Sequence, residues 1–431
     1  MFYLLTFVRD DHRVQEVHDR DGASKSRNRR ASPYHRYRAL LADELLPAAI
    51  VDLDAVDRNV DTLLGSVRAH SKTLRIASKS LRCVPLLKYI AARGGDAIRG
   101  VMTYTAHETL HLAKHGFDDL LLAYPTMRAR ELEALADANA RGATAAMVVD
   151  SIEHVGAADA IAAARGVTIP LVVEIDLAWR PAGDRVVVGV RRSPIRTASE
   201  VVHLAESIAM HRHVRFYGVM GYEAHIAGLG DANPFTPAQN PIKRWLRTKS
   251  RPHVERIRRE VADALASRSM APRVFNGGGT GSLAWCTAES ALTEVTAGSG
   301  FVDSHLFDYY TGLHLEPALG FALQVVRRPG GHVVTCQGGG YIASGEAGPD
   351  RLPRPWLPPG MTLFGPEGAG EVQTPVTLPD DAAVALGDPL FFRHAKAGEL
   401  AEHFREYLFV RGDRIEQRAL TYRGEGECFL G

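Results

Sequence analysis

Residues 120–150 read LLLAYPTMRARELEALADANARGATAAMVVD. Two apolar runs, at 120–124 and 145–150, flank an Ala/Leu-rich stretch at 129–142 that is typical of a helix. Each run is apolar almost throughout rather than at alternate positions, which is the pattern of a strand buried on both faces. The stretch therefore predicts two parallel strands that are joined by a helix.

The same alternation of apolar runs and helical stretches extends in both directions from this unit. The strand candidates are residues 48–56, 73–78, 100–104, 120–124, 145–150, 170–176, 215–222 and 272–278. Eight such units over about 250 residues fit a (β/α)8 barrel. The first candidate, 48–56, is open to a second interpretation in which it crosses to a later domain and leaves the barrel with a different strand count.

The amino-acid composition and the hydrophobic pattern change at both ends of this region. After about residue 312, glycine, proline and short alternating runs such as GHVVTCQGGGYIAS predict an antiparallel β domain. Near the start, residues 25–38 hold six lysines or arginines and no acidic residue, which favours a disordered basic extension. We therefore predict an extension at 1–38, a TIM-like (β/α)8 barrel at 39–311 and a β-rich C-terminal domain at 312–431.

Composition narrows the class of partner. Lysine plus arginine nearly equals aspartate plus glutamate, 51 against 50, so the charge balance does not favour nucleic acid or an acidic membrane. No apolar run approaches the roughly 20 residues that cross a bilayer. The four cysteines are widely spaced and predict free thiols in a reducing compartment, the cytoplasm. A small-molecule substrate is the remaining expectation.

Several chemically capable side chains follow the predicted barrel strands, where barrel enzymes carry their sites. Lys79 directly follows one strand and is either a solvated strand end or an amine for Schiff-base formation. The glycine-rich loops at 276–282 and 297–300 are either tight turns or a backbone cradle for a phosphate. Arg180, Tyr222 and His225 follow two further strands, so that all these groups are expected at one barrel mouth.

Seven segments together resemble a known family. They resemble, in order, the characteristic segments of fold-type III proteins that depend on pyridoxal 5′-phosphate (PLP). The segments are PAAIVDLDAVDRNV, IASKSLR, HETLHLAKHGFDDLLLAYP, VEIDLAWR, GVMGYEAH, NGGGTGS and TEVTAGSG. The resemblance is to the alanine racemase N-terminal-domain superfamily, in the D-threonine aldolase and D-serine dehydratase branch, within the amino acid deaminase/aldolase group. It covers about residues 40 to 425.

The resemblance implies roles for named residues. Lys79 is the lysine that forms the Schiff base with PLP, and Tyr222 lies near the cofactor ring. Arg180 is the expected partner of the pyridine nitrogen, with Arg185 as its competitor. The residues implied to hold the cofactor through its phosphate are Asn276, Gly278, Gly279, Thr280, Gly281, Gly298, Ser299 and Gly300.

The resemblance also raises the question of a metal. In this branch, a histidine and a cysteine or aspartate two residues later bind a divalent metal, and here the matching residues are His394 and Lys396. A protonated lysine cannot ligate a metal. Either Glu399 or His403 replaces the second ligand, or the site is metal-free and Lys396 or His394 acts on the substrate hydroxyl.

The implied activity is that of a PLP-dependent lyase, an aldolase or a deaminase/dehydratase. Its substrates are β-hydroxy D-amino acids such as D-threonine or D-serine, with His225, His394 or Lys396 as the proton acceptor. One alternative is an amino acid racemase that uses Lys79 and a tyrosine such as Tyr341. A further alternative is a non-catalytic PLP-binding homeostasis protein. The family precedent implies a homodimer.

Overall fold

The computed structural model describes residues 32–430. Its strands are β1 (Ala48–Asp52), β2 (Thr73–Ala77), β3 (Ile98–Thr103), β4 (Leu120–Leu122), β5 (Ala145–Val149), β6 (Ile169–Glu174), β7 (Pro181–Asp184), β8 (Val214–Met220), β9 (Val274–Gly277), β10 (Glu294–Ala297), β11 (Leu319–Gly330), β12 (Val333–Gln337), β13 (Arg354–Leu357), β14 (Thr362–Leu363), β15 (Gln373–Thr377), β16 (Pro389–Arg393), β17 (Glu406–Arg411) and β18 (Arg414–Leu420). Its α-helices are α1 (Pro33–Leu40), α2 (Leu53–Ala69), α3 (Val84–Gly94), α4 (Ala106–Lys114), α5 (Ala129–Ala140), α6 (Ile152–Arg165), α7 (Ala198–Met210), α8 (Ala224–Ala227), α9 (Asn240–Ala266), α10 (Leu283–Thr287) and α11 (Ala397–Ala401).

Eight parallel strands close into a barrel in the order β10, β2, β3, β4, β5, β6, β8, β9. The strands β4, β5 and β6 are buried along their whole length, as their near-continuous apolar sequences predict. The helices between them cover the outer face. The predicted (β/α)8 barrel is confirmed.

The first strand candidate does not belong to this barrel. Strand β1 pairs antiparallel with β11, where Ile50 lies opposite Gly320, and parallel with β17. The barrel is closed instead by β10, which pairs with β2 and β9. All five residues of β1 are buried. Its apolar sequence is therefore equally compatible with a barrel strand and with a strand of the β domain. The second interpretation of this segment, that it crosses to the later domain, is therefore correct, but the barrel keeps eight strands because β10 takes the remaining place.

Nine of the remaining strands, all except β7, form a second, mostly antiparallel sheet. Its order is β14, β15, β12, β11, β1, β17, β18, and β16 pairs with both β11 and β13. This confirms a β-rich domain after the barrel, to which β1 contributes a strand from the other end of the sequence.

Part of the predicted basic extension is helical. Residues 1–31 lie outside the described residues, but α1 begins directly after Ser32, whose side chain accepts a hydrogen bond from the backbone of His35. Tyr34 and Tyr37 are buried, and the Tyr37 hydroxyl donates to Asp52 at 2.6 Å. These two apolar anchors hold a basic segment against the β domain, so the prediction of disorder is wrong for 33–38.

The long helix α9 includes most of the basic segment 234–251. Lys243 on this helix lines the cavity described below. Within residues 32–430, no helix combines the length and the apolar character needed to span a bilayer.

Candidate active site

A cavity of about 1040 Å³ lies at the carboxyl ends of the barrel strands. Side chains that follow β2, β8, β9 and β10 line it from the barrel, and residues 395–399 line it from the β domain. Because parallel strands present their carboxyl ends at one mouth, residues distant in sequence meet here.

Lys79 stands in a short 3-10 turn, Ser78–Ser80, directly after β2. The Ser78 hydroxyl is buried and donates to the carbonyl of Met102 at 2.9 Å, which fixes the turn against β3. From the β domain, Gly398 approaches so closely that a Cβ there would lie 1.8 Å from the Lys79 carbonyl oxygen. The backbone of Lys79 is therefore held on both sides, while its Nζ opens into the cavity, 3.5 Å from the Tyr124 hydroxyl.

Two glycine loops line the cavity beyond β9 and β10. Gly278 adopts φ +86°, a left-handed conformation that favours glycine. A Cβ at Gly281 would lie 2.2 Å from the carbonyl oxygen of Ala227, and one at Gly298 would lie 2.8 Å from Ser80 Oγ. The backbone N–H of Gly300 donates to Thr280 Oγ1 at 3.2 Å, which joins the two loops.

The first glycine loop is organised by a buried carboxylate that sequence reasoning missed. Glu223 accepts hydrogen bonds from Ser282 Oγ at 2.5 Å, from the backbone N–H of Gly278 at 3.2 Å and from Arg258. Burial alone would raise the pKa of Glu223, but the Arg258 charge and these hydrogen bonds hold the pKa below its ordinary value. Glu223 was part of the quoted GVMGYEAH segment, yet nothing in the sequence marks a carboxylate after a strand as buried.

Asn276, the next-to-last residue of β9, has a side chain that bonds to β10. Its Nδ2 donates to Glu294 Oε1 and to Thr296 Oγ1, both at 2.8 Å. Glu294 in turn accepts two hydrogen bonds from the fully buried Arg75. The side chain of Asn276 thus aligns β9 with β10, and the residue also lines the cavity.

Tyr222 is placed beside the glycine loop. A Cβ added at Gly279 would lie 3.2 Å from the Tyr222 ring. Tyr222 also lines the cavity. Burial, reinforced by the Glu223 charge, raises the pKa of Tyr222 to about 12, so the phenol stays neutral at physiological pH. The guanidinium of Arg192 lies 5.1 Å from the ring centroid.

Of the arginines in the loop after β6, Arg192 lines the cavity, whereas the two arginines expected from the sequence do not. Arg180 donates to Asp176 at 2.5 Å and to Asp184 at 3.1 Å and does not line the cavity, and neither does Arg185. The irregular segment RPAGDRVVVGVRR concealed this, because the course of a loop determines which of its side chains turns inward.

The two predicted histidines lie beneath the cavity wall. Neither His225 nor His394 is among the residues that line the cavity. His394 Nδ1 donates to the carbonyl of Leu319 at 3.1 Å, and its Nε2 has no hydrogen-bond partner among the described residues. Burial lowers the pKa of His225 to about 4 and that of His394 to about 3, so both rings are neutral near pH 7.

Lys396 does reach the cavity, from the β domain. Its Nζ donates to Ser344 Oγ at 2.9 Å and lies 3.8 Å from Glu399 Oε1. Ser344 donates to Glu399 through both its hydroxyl and its backbone N–H. His403 instead lies against the Tyr341 ring, with centroids 4.6 Å apart. Lys396, Ser344 and Glu399 form one polar cluster, which we call the lysine cluster.

The residues present fit a PLP group. The primary amine of Lys79 opens into the cavity, and the neutral phenol of Tyr222 also lines it. In the two glycine loops, neighbouring atoms occupy the space where a Cβ would stand, so only glycine lets the backbone come this close. Glycine loops of this kind allow amide groups to approach a phosphate. The parallel barrel, this lysine and the second antiparallel domain define the two-domain, alanine-racemase-like class of protein.

Comparison with known proteins agrees with this class. Residues 51–302 match the family described as alanine racemase, N-terminal domain, and the chain belongs to that family, which is PLP-dependent. The chain is 26% identical over 262 residues to a 3-hydroxy-D-aspartate aldolase of Paracoccus denitrificans (strain Pd 1222), which covers 60% of this chain and 60% of that protein. It is 24% identical over 362 residues to a D-threonine aldolase of Arthrobacter sp, covering 81% and 87%.

A solved structure supports the fold independently. The crystal structure of D-threonine aldolase from Filomicrobium marinum matches with a TM-score of 0.75 at 22% identity, over 89% of this chain and 96% of that one. At this level of identity the match establishes the shared two-domain fold.

Proposed function

We propose that this chain is a PLP-dependent lyase that cleaves β-hydroxy D-amino acids, such as D-threonine or D-serine, between Cα and Cβ. The observation that carries the proposal is that Lys79 of the barrel and two members of the lysine cluster of the β domain, Lys396 and Glu399, line the same cavity. The names of the relatives, aldolases of D-threonine and 3-hydroxy-D-aspartate, support the same substrate class.

The barrel residues bind and orient the cofactor in this proposal. Lys79 would hold it covalently through Nζ, and the glycine loops at 278–281 and 298–300 would bind its phosphate. Tyr222 and Arg192, which lie together in the cavity, would contact the cofactor, and Arg192 would take the role that the sequence assigned to Arg180. PLP, when bound, withdraws electrons from the substrate and stabilises the negative charge that develops at Cα during cleavage.

The lysine cluster acts on the β-hydroxyl group. Lys396 Nζ orients the β-oxygen and stabilises the negative charge that develops there, while the Glu399 carboxylate, which also lines the cavity, accepts the hydroxyl proton. Ser344 holds Lys396 and Glu399 in place through its hydrogen bonds to both. The C–O bond becomes a carbonyl as the Cα–Cβ bond breaks, which gives an aldehyde and, after Cα accepts a proton, glycine. Lys396 stands where the branch has its second metal ligand, and a lysine ammonium cannot ligate a metal, so we assign the β-oxygen to Lys396.

The other two functions considered from the sequence have less support. Tyr341, the candidate second base of a racemase, packs against Phe321 and Phe404 and does not line the cavity. A non-catalytic PLP carrier has no need for a lysine cluster opposite Lys79.

The direct test is to incubate the PLP-loaded protein with D-threonine, D-serine and 3-hydroxy-D-aspartate, with their L enantiomers as controls. We expect glycine and the matching aldehyde from the D substrates, both with and without a chelator. Pyruvate or another 2-oxo acid together with ammonia would identify a dehydratase, and loss of optical purity with solvent deuterium at Cα would identify a racemase. If protein with a verified PLP absorption band forms none of these products, the lyase proposal fails.

Two broader features belong to the same proposal. The four cysteines are free, which supports a reducing compartment such as the cytoplasm. A homodimer follows from the family resemblance, and light scattering coupled to gel filtration measures it directly.

A further inference from the structure

A second group of metal-ligating side chains lies outside the candidate active site. His111 on α4, His115 at the end of that helix and Glu425 in the C-terminal segment each place one ligand atom within 4.8 Å of the others. Among residues 32–430, this is the only group of three or more His, Cys, Asp and Glu side chains that meets this spacing. None of the three lines the PLP cavity.

The fold brings these residues together by two separate routes. His111 and His115 are four residues apart, so they lie on one face of α4, with ring centroids 4.5 Å apart. The C-terminal segment is fixed beside this helix because the backbone N–H of Tyr422 donates to the Arg82 carbonyl and its hydroxyl donates to Glu108, at 2.8 and 2.9 Å.

The contacts around His111 resemble those of a metal-ligating histidine. Its Nε2 lies 3.0 Å from Glu425 Oε2, and its Nδ1 lies 3.7 Å from Glu427 Oε1. A metal-bound imidazole usually donates its second N–H to a carboxylate, which orients the ring, and Glu427 lies on the Nδ1 side of His111, slightly beyond hydrogen-bond distance. Tyr422 and Phe429 flank the His111 ring, each with a centroid distance of 5.5 Å.

The residue types suit a metal ligand set. Two imidazoles and one carboxylate are a common ligand set for Zn²⁺, whose fourth position is taken by water or a further side chain.

We propose that His111, His115 and Glu425 bind one Zn²⁺ ion, with Glu427 orienting His111. The ion joins the C-terminal segment of the β domain to helix α4 of the barrel, and it therefore stabilises the junction between the two domains. This site is independent of the proposed lyase function.

The test measures Zn²⁺ alone, by equilibrium dialysis of the chelator-stripped, PLP-loaded full chain. We expect His115→Ala and Glu425→Gln each to bind one Zn²⁺ fewer per chain than the wild type. The matched controls His70→Asn and His332→Asn, at exposed histidines away from both sites, keep this equivalent. Zn²⁺ raises the Tm of the wild type and of both controls, and this rise is lost in His115→Ala and Glu425→Gln.

Two results would overturn the site. One is a wild-type chain that binds no Zn²⁺, and the other is unchanged stoichiometry in the folded Glu425→Gln protein. The second variant keeps the test decisive if His115→Ala fails to fold, because Gln preserves the size of the side chain. Replacement by Co²⁺ supplies a spectroscopic check, since loss of its visible absorption in Glu425→Gln reports ligation directly.

Discussion

At the scale of single residues, Lys79 is distinguished by how firmly its backbone is held while its amine stays accessible. The turn is fixed by the Ser78 hydroxyl on one side and by Gly398 on the other. The neighbouring arginines are not free charges near the amine, because Arg75 is paired with Glu294 and Arg82 with Glu402. The site therefore presents a lysine amine whose position is set by two domains.

Replacing Lys79 with Ala tests this assignment. We expect the visible absorption band of lysine-bound PLP to disappear and kcat for cleavage to fall by at least about 10⁴-fold, as for loss of a residue that forms a covalent bond in the reaction. Absorption spectra and initial rates measure both effects. The exposed Lys88 on α3 is the matched control, and Lys88→Ala should keep the band and the rate. A persistent band in Lys79→Ala would rule out this lysine.

Lys396 offers a second, separable prediction. Lys396→Met keeps the length of the side chain and removes its charge, so we expect kcat to fall by about 10²- to 10³-fold, as on loss of one group that stabilises a developing oxyanion. The PLP band should be unchanged, because Lys396 belongs to the β domain side of the cavity. Steady-state kinetics together with the absorption spectrum test this.

The control for Lys396 is Lys396→Arg, which retains a cation opposite Ser344 and should recover part of the lost rate. An unchanged kcat in Lys396→Met would show that the lysine cluster takes no part in cleavage. Loss of the PLP band in that variant would instead assign Lys396 to cofactor binding.

At the scale of elements, the two glycine loops matter because of what lies against them. Gly298 follows β10, and a Cβ there would lie 2.8 Å from Ser80 Oγ and 3.0 Å from the Ala77 carbonyl oxygen. Both contacts belong to the segment that carries Lys79. A glycine here is thus required by the close approach of two strand ends.

The variant Gly298→Ala should therefore disturb cofactor binding and stability together. We expect a loss of about 1–3 kcal/mol in the free energy of unfolding, the usual cost of overpacking, and weaker PLP binding. Denaturant unfolding and PLP titration measure the two effects. Gly65→Ala is the matched control, since an added Cβ in the middle of α2 meets nothing within 4 Å and should stabilise the chain by about 0.5–1 kcal/mol. Wild-type PLP affinity in Gly298→Ala would contradict the argument.

The elements also show where sequence-based prediction succeeded and where it stopped. Strands β4 and β5 and the helix between them were predictable because burial on both faces leaves a continuous apolar run. The sheet to which β1 belongs was not predictable. The partner strands β11 and β17 are hundreds of residues away, and the sequence of β1 contains no feature that identifies them.

The same limit applies to the site. Lys79 and the glycine loops were found because each directly follows a recognisable strand. Arg192 was missed because it lies in a loop whose path, rather than its composition, turns one arginine inward and leaves Arg180 on Asp176. Helix α1 was missed because two tyrosines outweigh the surrounding basic residues.

At the scale of the whole molecule, the two domains meet through buried polar groups near the cavity. Arg393 at the end of β16 donates to Asp303 at 2.8 Å and to Asp308 at 2.6 Å. His305 lies between these two aspartates in the sequence, and its backbone N–H donates to the carbonyl of His394 at 3.1 Å. The stability of this junction should therefore depend on pH.

His305 gives the sign of one part of that dependence. Burial lowers its pKa from the ordinary value of 6.5 to about 4, although Nε2 donates to the Leu352 carbonyl at 2.9 Å. Between these two values the unfolded chain binds a proton that the folded chain does not. The contribution of His305 is thus fully present above pH 6.5 and is lost as the pH falls toward 4, by up to about 1.4 kcal/mol per pH unit.

The variant His305→Gln isolates this contribution, because Gln can keep the hydrogen bond to Leu352 but does not titrate. Asp303, whose pKa burial raises to about 7, contributes a slope of opposite sign in both proteins and cancels in the comparison. Urea unfolding at several pH values between 4.5 and 7 should show that the wild type loses more stability than His305→Gln on acidification. His332→Gln, at an exposed histidine, should follow the wild type. If the free energy of unfolding changed with pH in the same way in the wild type and in His305→Gln, His305 would be taking up its proton in the folded protein, and the prediction would be wrong.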